Sequence, residues 1–329
     1  MVIWFLRGLF IFMLGACSGV EVPLHNQLVD KQPNSQSQSA FVLILGIAQD
    51  AGYPQANCEK EQCKKYWQGE EHPRYVSSIA LVDPSSQSAW LFDATPDFKH
   101  QLQMLKIQAP ESKLRGIFLT HAHIGHYTGL MQLGHEVMGA SDVAVYAMPK
   151  MTTFLQTNGP WSQLVDYGNI LLQPLYADQA INLTSGLSVT PFLVPHRDEY
   201  SETVGYKIQY SGSSLLYIPD INKWEMWDRS IENEIKKVDF ALLDGTFYDA
   251  NELPGRNMSE IPHPFIQERL VRFSSLPLSE KKKVMFIHFN HTNPLILDSP
   301  EREYVEKLGY RVAKEGDKIK LTMKLLQSF

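Results

Sequence analysis

Residues 120–126 read THAHIGH and follow directly on a short apolar run at 116–119. No other feature limits the fold of this chain so strongly. His121 and His123 are two apart, so in extended backbone both side chains point to the same side. His126 precedes a stretch, 128–138, whose spacing predicts a helix, and it can turn back to the same centre. Three imidazoles at the end of a buried strand are costly to desolvate unless something binds them. Neutral imidazole is the commonest zinc ligand and also suits iron and nickel. The bland alternative is a solvated histidine-rich turn, and the flanking core strand and helix start argue against it.

The rest of the chain alternates strands with helices. An apolar strand is expected at 41–47 and a hairpin at 77–82 and 89–92. Further strands are expected at 143–147, 187–194, 203–210, 214–218, 238–243 and 284–289. Helices are expected at 97–107, 231–237 and 264–273. Paired strands interleaved with helices predict mixed α/β layers rather than a purely parallel sheet. Without repeats or a second linker, 41–329 reads as one domain. More candidate ligands recur where strands end. His196 follows the strand at 187–194, Asp220 follows 214–218, His288 closes 284–289, and His291 lies three residues on. One histidine at a strand end is commonly structural, but several downstream of a His-x-His pair point to a metal.

Charge and cysteine content narrow the function classes. Thirty Lys and Arg against 36 Asp and Glu leave a net charge of −6, so no nucleic-acid partner is expected. Three cysteines exclude a disulfide-dense scaffold. Residues 1–16, MVIWFLRGLFIFMLGA, carry Arg7 as their single charge. Their apolar run is too short to span a bilayer of about 30 Å and has the length of a signal-peptide core. The sequence LGAC at 14–17 resembles the bacterial lipobox, which implies cleavage before Cys17 and a lipid on its sulfur. Residues 17–40, rich in Ser, Gln, Asn and Pro, are expected to act as a flexible tether. The expectation is an exported lipoprotein held at the periplasmic side of a membrane. Ser18 rather than Asp favours the outer membrane in an enteric-type host.

Residues 118–130, FLTHAHIGHYTGL, resemble the His-x-His-x-Asp-His signature of the metallo-β-lactamase superfamily, and His196, Asp220 and His288 follow in that superfamily's order. The resemblance implies a four-layer αββα sandwich with a metal site at one edge. Within it, GIAQDAGYPQANC (46–58), LFDATPDFKHQL (91–102), DGTF (244–247) and HFNHTNP (288–294) are similar to coenzyme PQQ synthesis protein B and its relatives. The resemblance implies a first metal on His121, His123 and His196. A second would sit on His126, Asp220 and His288, with Asp220 bridging. One departure stands out: the signature aspartate is Gly125 here. His291 and Asp244 are the expected substitutes. One or two zinc ions are implied, with iron as the alternative.

A metal on three histidines keeps an open position for water and lowers its pKa toward about 7. The implied activity is attack of metal-bound hydroxide on an ester, amide, lactam or phosphodiester of a small molecule, with Asp220 and His291 as catalytic residues. Two other readings stay open: an iron-dependent oxidoreductase related to PQQ synthesis, and a non-catalytic metal-binding lipoprotein that lost turnover through Gly125. The relatives carry a cysteine cluster that can hold a structural zinc. Here Cys58, Cys63 and His72 stand in that region, and a Cys58–Cys63 disulfide or two free thiols are equally open. Trp224 and Trp227 read as packing, His100 and His135 as surface residues, and His263 has no assigned role. The loops near 159–167 and 248–256 are expected to shape the pocket.

Overall fold

The computed structural model describes residues 39–324. The lipobox-like segment with Cys17, and the tether up to residue 38, lie outside the described residues. Among the described residues, fourteen strands run β1 (Phe41–Gly46), β2 (Ser78–Asp83), β3 (Ser88–Phe92), β4 (Lys113–Phe118), β5 (Val143–Ala147), β6 (Ile170–Pro174) and β7 (Ile181–Thr184). They continue with β8 (Leu187–Leu193), β9 (Val204–Tyr210), β10 (Ser213–Ile218), β11 (Phe240–Asp244), β12 (Val284–Ile287), β13 (Arg311–Val312) and β14 (Lys318–Lys320). They form two seven-stranded sheets, ordered β14-β1-β2-β3-β4-β5-β6 and β13-β12-β11-β10-β9-β8-β7. Both are mixed: β3 to β6 are parallel, as are β10 to β13, while the hairpins pair antiparallel.

Strand β1 shows why the layers stack. Its sequence FVLILG is apolar throughout, with no polar face. Val42 and Ile44 belong to the core shared with the second sheet, which holds Val189, Ile208 and Leu215. Leu43 and Leu45 point the other way, into a core with Phe98 and Leu105 of the helix Phe98–Gln108. A strand covered on both faces must be apolar at every position. On the far side, the helices Ile231–Lys236 and Ile266–Arg272 bring Ile231, Ile235, Ile266 and Leu270 to the second sheet. The result is the expected αββα sandwich.

The helix expected at 128–138 is not there. A single turn, Ile124–Tyr127, runs into a 3-10 segment, Thr128–Leu133. The cause is close docking: the Gly129 amide donates to the Ala94 carbonyl, and a Cβ on Gly129 would sit 2.0 Å from the Thr95 carbonyl oxygen. The 159–167 region, expected as loop, contains the helix Trp161–Asp166. Among the strand ends with left-handed residues other than glycine, two lead into the site, Asp93 after β3 (φ 70°) and His288 after β12 (φ 68°). Such backbone persists where surrounding structure over-determines it, as at functional sites. No helix among the described residues is long and apolar enough to cross a membrane.

Candidate metal centre

The carboxyl ends of the central strands converge at one edge of the sandwich, where ligands bind in open α/β sheets. His121 and His123 follow β4, His196 follows β8 and Asp220 follows β10. Their ligand atoms lie within 4.8 Å of one another. Nε2 of His121 and Nε2 of His196 stand 3.3 and 3.2 Å from Oδ2 of Asp220. Nδ1 of His123 is 2.9 Å from His121 Nε2 and 3.2 Å from His196 Nε2. The other nitrogen of each ring is held from behind. His121 Nδ1 meets Thr120 Oγ1 at 2.9 Å, His196 Nδ1 meets Asn222 Oδ1 at 3.1 Å, and His123 Nε2 meets Glu199 Oε2 at 3.2 Å. Such outer partners fix ring orientation and leave a lone pair facing the centre.

A second cluster shares Asp220 and adds His126, His288 and Asp50. His126 Nδ1 bonds Asp93 Oδ2 at 2.7 Å and His288 Nδ1 bonds Thr246 Oγ1 at 3.0 Å. Both Nε2 atoms face inward, each 4.0 Å from Asp220 Oδ2. His126 Nε2, His288 Nε2 and Asp50 Oδ1 are buried without any hydrogen bond. Leaving a buried polar atom unmet costs about 1–3 kcal/mol. Three such atoms converging on one point fit a cation, and imidazole with carboxylate suits zinc or iron.

The charges agree. Burial pushes the His121 imidazole well below its ordinary value, aided by His126, so its neutral, ligating form is favoured. Burial opposes ionisation of Asp220 too, yet His196 and His263 hold it well below the usual carboxylate range. His126 is the opposite case: against burial, Asp93 and Asp50 raise its imidazole well above normal.

Six expected residues thus meet, namely His121, His123, His126, His196, Asp220 and His288. The two expected substitutes for the signature aspartate do not join them. Asp244 lies at the end of β11 with its oxygens taken by the amides of Ile221 and Thr246, the Thr246 hydroxyl and His263. His291 belongs to neither cluster. Phe289 pairs through its backbone with Ile47 and Gln49, and the chain then turns toward the Cys58 loop. There His291 lies beside Cys58 and Cys63, which are joined as a disulfide with Cα atoms 6.0 Å apart. His72 is not part of that group. Trp224 and Trp227 are buried in the main core, as packing residues.

Three residues escape sequence reasoning. Asp50 and Asp93 lie inside the GIAQDAG and LFDATPD stretches that carry the resemblance, and neither is singled out there. His263, between two prolines, places Nδ1 3.3 Å from Asp220 Oδ1 and 3.0 Å from Asp244 Oδ2. Beside the site, Lys150, Phe154, Asp198, Glu199 and Tyr200 line a cleft of about 570 Å³. Glu199 joins the two, since it also contacts His123.

A family profile described as "Beta-lactamase superfamily domain" matches residues 89–289. The chain therefore belongs to the metallo-β-lactamase superfamily. Relatives within that superfamily include coenzyme PQQ synthesis proteins B. The protein from Acinetobacter baylyi is 30% identical over 309 residues, covering 84% of this chain and 98% of the relative. That from Methylorubrum populi is 29% identical over 304 residues, covering 84% and 98%. The crystal structure of the zinc-bound protein from Methylobacterium extorquens superposes with a TM-score of 0.71 at 26% identity, over 85% of this chain and all of that one. A diphosphatase of the PhnP family shares the fold, with a TM-score of 0.60 at 21% identity over 86% and 97%.

Proposed function

We propose that this chain is a metal-dependent hydrolase that cleaves an ester, amide, lactam or phosphodiester bond in a small molecule, with zinc as its resident ion. The observation that carries the reading is Asp220, whose Oδ2 is approached by inward-facing nitrogens of both clusters. His121, His123 and His196 would hold the first ion; His126 and His288 would hold the second; Asp220 would serve both. When bound, such ions supply Lewis acidity and a water acidic enough to ionise near neutral pH. The chain's own part is orientation. Thr120, Asn222, Glu199, Asp93 and Thr246 each fix one ring, and the cleft at Tyr200 and Phe154 receives the substrate body.

Metal-depleted protein, reconstituted with zinc, tests this reading against a panel of ester, lactam and phosphodiester substrates. The proposal expects turnover of at least one class that is lost on depletion and restored by metal. Turnover indifferent to metal, or none across the panel with metal bound, counts against it. Kinship with PQQ synthesis proteins favours a second reading, an iron-dependent oxidoreductase, which iron in the purified protein and dioxygen-dependent turnover would support. We further propose that Cys17 anchors the protein, as a lipid-bearing N-terminus, to the periplasmic side of a membrane. Cys17→Ala should move it out of the membrane fraction, and unchanged membrane association would refute the anchor.

A further inference from the structure

We infer that Asp50, on the loop after β1, is the carboxylate of the second metal site, and that position 125 is glycine because the carboxylate arrives from that loop. The inference rests on the two-ion reading above and adds the residue that completes its second half.

Space is the first argument. A Cβ on Gly125 would lie 2.4 Å from the Asp50 Cα, 2.6 Å from its Oδ1 and 3.0 Å from its carbonyl oxygen. No side chain fits there while the Asp50 loop holds its place. Nor does the backbone ask for glycine, since Gly125 sits in the turn Ile124–Tyr127 and is not among the positive-φ glycines. The glycine thus marks an approach by another segment.

That segment is fixed. Gln49 donates its amide to the Phe289 carbonyl at 2.7 Å, and Phe289 donates to the Ile47 carbonyl at 2.7 Å. Gly52 closes a turn on the Gln49 carbonyl at 2.9 Å. These bonds tie the Asp50 loop to the strand end that carries His288. Gln49 Nε2 bonds Asp50 Oδ2 at 3.3 Å, which leaves Oδ1 to the site.

Chemistry is the third argument. Asp50 Oδ1 lies 3.1 Å from His126 Nε2 and 3.9 Å from His288 Nε2, and no hydrogen bond joins any of the three. With Nδ1–H given to Asp93, a neutral His126 turns the lone pair of Nε2 toward the carboxylate oxygen. Two acceptors so close repel unless a cation lies between them. The competing account is a His126 imidazolium held by two carboxylates, with no ion.

Zinc stoichiometry separates these accounts. The full-length protein is depleted, reconstituted with zinc, dialysed and measured by elemental analysis, with thermal melting as the check on folding. Wild type should retain two zinc ions and Asp50→Asn, which keeps size and loop contacts, only one. Removing an outer partner of a ligand weakens metal binding about 10–100-fold, so losing the ligand should weaken the second site at least that much. Gly125→Ala keeps every ligand but pushes the Asp50 backbone, and should lose the same ion. Should Gly125→Ala fail to fold, Asp50→Asn decides alone. Two ions in Asp50→Asn would overturn this assignment and leave the two-ion reading standing. A wild type that never exceeds one ion would remove the second site, and the assignment with it.

Discussion

Asp93 Oδ2 lies 2.7 Å from Nδ1 of His126, and both side chains are fully buried. The same aspartate accepts from the Thr120 amide at 2.8 Å and from its hydroxyl at 3.0 Å. Thr120 in turn holds His121, so one carboxylate braces a ring in each cluster. Asp93→Asn keeps the shape and removes the charge. It should weaken the second metal about 10–100-fold in a zinc titration. It should also cost about 1–3 kcal/mol of stability in urea unfolding. Unchanged zinc affinity would mean that Asp93 serves the fold alone.

His263 poses a different question. It lies between the buried carboxylates Asp220 and Asp244, which raise its imidazole above the ordinary value against the opposing effect of burial. In the metal-free protein this shift favours its charged form beside both carboxylates. His263→Ala then removes one partner of these buried carboxylates while Arg269 stays 3.6 Å from Asp244, a loss of up to about 3–5 kcal/mol for broken buried pairs. With zinc bound, Asp220 has a cation of its own, and the loss should shrink. Equal destabilisation with and without zinc, measured by chemical denaturation, would contradict that link.

Burial lifts the Glu315 carboxyl from 4.5 to about 7, despite the Tyr75 amide bound to Oε1 at 2.5 Å. The folded state therefore holds its proton more tightly than the unfolded state. For such a group stability is complete below pH 4.5 and falls as pH rises to about 7, where the folded form has also ionised. Glu315→Gln retains an acceptor for Tyr75 and cannot ionise. It should exceed wild type by about 1–2 kcal/mol at pH 8, with the difference fading by pH 5; the full shift would give more, but partial exposure reduces it. A gap that does not change with pH would contradict the assignment.

The candidate centre is legible in the sequence where strand periodicity ends in a histidine or aspartate. His121, His123, His196, Asp220 and His288 all follow apolar runs, so their side chains must emerge at one edge. Asp50 is not legible in this way, because an aspartate in QDAG reads as an ordinary turn residue. Its signal is indirect: a glycine at 125, where the resembled signature has an aspartate, marks space that another segment must fill. His291 misleads because three residues from His288 suggests proximity, whereas the Phe289 pairing turns the chain away. Strands β13 and β14, of two and three residues, are too short for any periodicity. The helices Pro149–Thr157 and Pro300–Lys307 are not among the expected ones, although each carries a proline in its first turn.

Removing one ring from the first cluster tests the metal centre most directly. His123 contributes Nδ1 to that cluster, within 2.9 Å of His121 Nε2, whereas His135 is exposed and belongs to neither cluster. Zinc content and hydrolysis should be measured together for wild type, His123→Ala and His135→Ala. His123→Ala should lose the first-site ion and its turnover in the same preparation, while His135→Ala matches wild type in both. A His123→Ala protein with full zinc occupancy and full turnover would contradict the site as described.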